Sequence, residues 1–224
     1  DVCSSDLLKV TIIYQLVMAK PSWLTINPGS GNGNGTIQFS GTEHTGRVAR
    51  TYAATVANTK TADCTVNVSQ TAKDEFVTMQ ATASPAKTGG ELTITGSSNS
   101  TKLTFSWKQS PAPTLVLEIP ASYTAGGTST PNGTAISGDP GATAQYSFSI
   151  KFTIPANTTI GQLTATLVVT DAGGNTAQCA IKQAAGDAYL WVGARNQTET
   201  DCTIPQAGTA ASVQVFSNDA WTVE

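Results

Sequence analysis

Apolar and polar residues alternate with a period of two over most of this chain. In segment 47–56, Tyr52, Ala54 and Val56 fall on one side, and in 62–69 Cys64, Val66 and Val68 do the same, with Thr65, Asn67 and Ser69 opposite. Such alternation is how strands of an antiparallel sheet with one buried face read. Clusters of Gly, Pro, Asn and Ser separate the alternating runs, and their backbone preferences end a strand and reverse the chain. Stretch 21–33 (PSWLTINPGSGNG) sets this grammar: Trp23, Leu24 and Ile26 supply a face, then Pro28 and the glycines stop it. Segment 8–18 (LKVTIIYQLVM) reads as one strand or two short ones. It contains Lys9 and Gln15 and falls short of the about 20 residues that a membrane span needs.

Further along, strands are predicted over 75–79, 91–95, 102–107, 114–119, 145–154, 162–170 and 176–182, with no helical period among them. Short strands at this spacing predict an all-β fold of antiparallel sandwiches. Segment 123–144 (YTAGGTSTPNGTAISGDPGATA) is rich in Gly, Pro, Ser and Thr and is expected to be a long exposed loop. After residue 185 come candidate strands at 189–193, 212–216 and 221–223, too few to close a core alone. That segment should either dock on what precedes it or lack fixed order.

An internal repeat organises the whole. Thr61-Ala62-Asp63-Cys64, with Gln70 and Ala72, recurs as Thr176-Ala177-Gln178-Cys179 with Gln183 and Ala185. The second copy is two residues shorter between Cys and Gln, and a slip of two keeps every side chain on its original face. Both copies read as the closing strand of a module, followed by a polar link and a fresh aromatic strand. Tandem modules are the expectation: a first over 8–73, a complete second over 74–185, and the start of a third over 186–224. Residues 1–7 (DVCSSDL) read as the translation of a sequencing-library adapter, so they and Cys3 are set aside. The first and third modules are expected to be truncated.

Charged residues make up 12% of the 224, and the net charge is -3. Soluble domains carry about 25%. Surfaces built from Thr, Ser, Asn and Gln suit extracellular β modules, and the absence of a basic patch argues against nucleic acid as a partner.

Candidate chemistry is sparse. His44 is the sole histidine, it is expected in an open polar turn (GTEHTG), and no Ser or Cys nucleophile motif accompanies it, so the chain reads as non-enzymatic. Glu91, Glu118, Asp139, Asp171 and Asp187 are dispersed, without the pairing of glycosidase acids. Segment 29–35 (GSGNGNG) precedes a strand and not a helix, which leaves a plain turn instead of a phosphate cradle. Cys64, Cys179 and Cys202 are too far apart for a zinc site, and no cofactor is implied. Asp171 and Asn175 place two oxygen-bearing side chains in one tight loop, a weak calcium candidate whose competing reading is a hairpin turn. Cys64 and Cys179 alternate with aliphatics and are expected to be buried, although a Cys179–Cys202 bridge is conceivable in an oxidising compartment. Were a sugar bound, Trp107, Tyr123, Tyr189 and Trp191 would be the candidate platforms; core packing competes for each.

Two places resemble BACON modules, the Bacteroidetes-associated carbohydrate-binding, often N-terminal family of Ig-like domains. Trp23-Leu24-Thr25-Ile26-Asn27-Pro28-Gly29-Ser30-Gly31, followed by Arg47 through Tyr52 and by Val66-Asn67-Val68-Ser69-Gln70, is similar to the family's opening signature and closing strand. Val213-Gln214-Val215-Phe216-Ser217-Asn218-Asp219-Ala220-Trp221-Thr222-Val223 looks like a second opening. The middle segment lacks the Trp and the Pro-x-Ser-Gly. The resemblance implies tandem Ig-like sandwiches in a secreted or surface-attached bacterial protein, acting as spacers or interaction modules beside neighbouring domains. Two alternatives stand beside that reading. One is a carbohydrate-binding module serving a polysaccharide-degrading or glycan-capture protein, with glycan as partner; the other is a phage virion or adhesin decoration domain.

Overall fold

The structure, a computed structural model, describes residues 19–224. The strand expected over 8–18, residues 1–7 and Cys3 lie outside the described residues. The fold is all-β, and among the described residues the one helical element is a single 3-10 turn at Pro140–Ala142. The described residues divide into two compact units, 19–43 with Arg50–Gln70, and His44–Ala49 with Thr71–Glu224.

In the smaller unit, β1 (Leu24–Asn27) pairs antiparallel with β2 (Gln38–Gly41), and β3 (Arg50–Val56) with β4 (Cys64–Gln70). Tyr52 faces Val68 and Ala54 faces Val66 across this second ladder. Leu24 and Ala54 are buried. Cys64 is exposed, against the expectation that it is buried. It pairs with Val56 at the open end of its ladder, where Val56 is itself 42% exposed and nothing covers either side chain.

The larger unit is a two-layer sandwich. One sheet has five strands in the order β10 (Thr128–Pro131), β9 (Ser122–Ala125), β11 (Tyr146–Ile154), β7 (Gly90–Ser98), β5 (Val77–Met79). The other has four, β6 (Thr82–Ala83), β13 (Thr176–Gln183), β12 (Leu163–Asp171), β8 (Leu103–Trp107), with β6 parallel to β13. Ile94 and Ile150 face each other across the β7–β11 ladder and meet Leu167, Val169, Cys179 and Ile181 from the second sheet, all fully enclosed. Each large apolar side chain buried in this way contributes about 1.5–3 kcal/mol. Phe105 sits edge-on to Tyr123 and Phe148, with ring centroids 5.0 and 5.7 Å away. Gly96 lies opposite Phe148, where an added Cβ would fall 2.3 Å from the ring and 2.1 Å from the Thr78 carbonyl oxygen. Only a residue without a side chain lets the aromatic ring lie that close to the strand.

Three expectations change here. Segment 123–144 is not a long loop: β9 and β10 form a hairpin across Gly126-Gly127, whose φ angles of 55° and 84° are the pair a tight type I′ turn demands. Segment 114–119 is not a strand, although Thr114 N and Leu115 N both donate to the Thr164 carbonyl and Leu115 is buried. Pro111, Pro113 and Pro120 flank it, and proline can neither donate to a ladder nor continue one. No strand forms at 221–223.

The two copies of the repeat share a physical role at their glutamines. Gln70 ends β4, and its amide nitrogen Nε2 donates to the Thr42 carbonyl at 2.9 Å while Oε1 accepts from Arg50 Nε at 2.9 Å. Gln183 ends β13, and its Nε2 donates to the carbonyls of Pro155 at 2.7 Å and Ala86 at 3.3 Å. In each case a side-chain amide at a strand end satisfies backbone groups of loops that have no ladder partner.

Candidate functional site

The four aromatic candidates divide into two pairs. Tyr123 points inward from β9, is 3% exposed, and accepts a hydrogen bond at its phenol oxygen from Leu103 N at 3.3 Å. Trp107 is half-buried at the end of β8 and tilts against Phe152 with centroids 5.3 Å apart. Both go to the core side because period-two alternation sets them in register with Phe105 and Ala125, so neither offers a flat ring to a ligand.

Tyr189 and Trp191 behave differently. They lie two residues apart, which puts them on one side of β14 (Leu190–Val192), and their rings stack face to face at 4.2 Å with an interplanar angle of 18°. Both are half-buried. β14 pairs with β15 (Val215–Ser217), Trp191 opposite Phe216.

Asn218, just past β15, fastens this hairpin to the sandwich. Its Oδ1 accepts from Tyr189 N at 3.0 Å, and its Nδ2 donates to the carbonyls of Asp187 at 2.9 Å and Thr158 at 3.2 Å. Gly186 N donates to the Thr159 carbonyl at 2.7 Å, and a Cβ at Gly186 would meet the Asn157 carbonyl oxygen at 2.4 Å. Lys87 and Asp187 add an ion pair at 2.5 Å. Segment 186–224 therefore docks on the sandwich through backbone-directed polar contacts at its start. Between them lies a notch of about 290 Å³, lined among others by Lys87, Thr88, Thr158, Asp187 and Tyr189. Sequence reasoning reached Tyr189 and Trp191 but missed Lys87, Thr88, Thr158 and Asn218, which stand far away along the chain. Asn218 carried a signal in the Ser-Asn-x-x-Trp opening, though its partners did not.

The calcium candidate resolves into a turn. Asp171 is buried; its Oδ1 accepts from Asn175 N and its Oδ2 from Asn175 Nδ2, each at 2.8 Å. Asn175 Nδ2 also donates to the Glu75 carbonyl at 2.9 Å, and Gly174 has φ 87°. Both carboxylate oxygens are thus engaged in closing the β12–β13 hairpin. Among the described residues no group of three or more His, Cys, Asp or Glu side chains is arranged to hold a metal.

His44 is not in an open turn. It is 8% exposed, and its Nε2 lies 2.7 Å from the Val48 carbonyl. The reason is that His44–Ala49 is part of the larger unit: Arg47 N and Val48 N donate to the carbonyls of Gly141 and Ala142, each at 3.0 Å. Burial also pushes the Tyr146 phenol up to about 12 and raises Tyr123 and the Cys179 thiol. Cys64, Cys179 and Cys202 are free thiols. No helix among the described residues is long and apolar enough to cross a membrane.

No family model matches the chain, and no curated protein does. Among solved structures, it is similar to an endo-fucoidan hydrolase from glycoside hydrolase family 107, at 14% identity and a TM-score of 0.25. That match covers 77% of this chain and 27% of the hydrolase, so the chain spans about a quarter of that protein's length.

Proposed function

We propose that the chain is a non-catalytic piece of a modular bacterial surface or secreted protein, in which Ig-like sandwiches act as spacers and interaction modules for neighbouring domains. The observation that carries this reading is the Asn218 junction. One side chain ties the hairpin strand, the linker and a sandwich loop together through three hydrogen bonds, so the segment leaving the sandwich has a fixed direction. A stiff exit is what a spacer requires, whereas independently swinging modules join through polar linkers with few crossing contacts.

Spin labels at Thr104 on the sandwich and Leu190 on the hairpin, with Cys3, Cys64 and Cys202 replaced by Ser, test it. A single narrow distance distribution is expected, broadened by Asn218→Ala. A broad distribution in the parent protein would remove the basis for the spacer reading.

Glycan capture is the second reading, favoured by the stacked Tyr189–Trp191 pair beside a largely apolar notch whose lining includes Lys87, Thr88, Thr158 and Asp187.

A further inference from the structure

The notch beside Tyr189 has more chemistry than a spacer needs. Tyr189 lines it, and Trp191, which does not, stacks on the Tyr189 ring with centroids 4.2 Å apart. The hydroxyls of Thr88 and Thr158 line the same space and make no hydrogen bond to any described residue. Asp187 has a side chain 81% exposed and Lys87 one 44% exposed, and each has bonding capacity left beyond their mutual contact. A flat ring wall with hydroxyl, carboxylate and ammonium groups around its rim is complementary to a molecule that is apolar on one face and hydroxylated at its edge.

Resting on the glycan reading above, we infer that this notch is a subsite for one neutral saccharide ring, stacked on Tyr189 and hydrogen-bonded through a vicinal diol to Asp187 and Lys87. At about 290 Å³ it stands at the small end of ligand pockets, which suits a single ring and excludes a long chain segment. Its charge selects against anionic sugars. Among the described residues lining it, Lys87 and Asp187 alone are charged, and they cancel, leaving no net positive charge for a sulfate or a uronate. Gly186 also lines the notch and admits no side chain, since a Cβ there would lie 2.4 Å from the Asn157 carbonyl oxygen.

Affinity gel electrophoresis of the full chain against dextran, a β-glucan, a mannan, a galactan and dextran sulfate tests the inference. At least one neutral polymer should retard the protein, with little dependence on salt, and dextran sulfate should not. Tyr189→Ala should weaken retardation about tenfold, the loss expected for one aromatic stacking contact, while Tyr189→Phe stays within about twofold. Should Tyr189→Ala fail to fold, the double variant Thr88→Val/Thr158→Val decides, because it removes rim hydroxyls and leaves the ring; it too should weaken binding. Neutral binding that survives both changes would leave glycan capture standing and overturn this subsite. Retardation by dextran sulfate alone would do the same, and retardation by none of the polymers would take down both.

Discussion

The side chain of Asn132 occupies both hydrogen-bonding positions of Phe105: Phe105 N donates to Oδ1 at 2.8 Å, and Nδ2 donates to the Phe105 carbonyl at 3.1 Å. β8 is the edge of the four-stranded sheet, and this amide stands where a further strand would pair. Exposed edges invite pairing with other chains, so a side chain that imitates a ladder is a form of protection. Asn132→Ala should cost about 1–3 kcal/mol in chemical denaturation, the range for stranding buried backbone groups. It should also raise the tendency to associate, read by light scattering. Unchanged stability would mean that water replaces the amide without loss.

The hexapeptide His44–Ala49 provides a second test. Gly46 has no room for a side chain, since a Cβ would lie 2.4 Å from the Thr143 carbonyl carbon. Arg47 donates from Nε to the Asn99 carbonyl at 3.1 Å and forms an ion pair with Asp139. Asn99 returns a bond to the Thr45 carbonyl at 3.2 Å. Gly46→Ala should detach the segment, seen as fast hydrogen exchange at the Arg47 and Val48 amides. Arg47→Ala should have a smaller effect, about 1 kcal/mol, because the Asp139 side chain is 43% exposed and water screens the pair in part. Equal protection in Gly46→Ala and the parent would contradict the docking described above.

Alkaline pH should unfold the sandwich through Tyr146. The phenol is buried, and the loss of solvent around its charged form pushes it from 10.0 up to about 12; its hydroxyl donates to the Ser100 carbonyl at 2.9 Å. The raised folded value means that the stability it confers is complete below pH 10 and is lost as pH climbs toward 12. The melting temperature should therefore fall across that window. Tyr146→Phe should flatten the fall while costing about 1 kcal/mol at neutral pH through the lost hydrogen bond. Tyr123, raised by burial as well, should account for the slope that remains. Parallel melting profiles for parent and variant would rule Tyr146 out as the group responsible.

Strand positions were legible in the longest alternating runs, though not at 114–119, where flanking prolines prevent a strand. β11 was expected at 145–154 and lies at Tyr146–Ile154; β12 was expected at 162–170 and lies at Leu163–Asp171. The β9–β10 hairpin was also written in the chain, as Gly126-Gly127 between short polar strands, yet Ser, Thr and Pro on those strands concealed it. Of the candidate site, the Tyr189 and Trp191 rings were visible as residue types. Their stacking and the notch were not, because Lys87 and Thr158 approach them only through the sandwich.

By itself, the sequence determined that this protein is all-β, where its longest strands run, and where the repeated closing strands end. Those properties follow from local periodicity and turn chemistry, and local physics can be read from neighbours in the chain. Only the tertiary structure decided that Tyr123 and Trp107 serve the core while Tyr189 lines an open notch, and that His44 is enclosed. It also decided that Cys64 is exposed while Cys179 is not. In each of these cases the outcome depends on whether a second layer, from residues distant in sequence, lies over the strand, and period-two alternation carries no information about that cover.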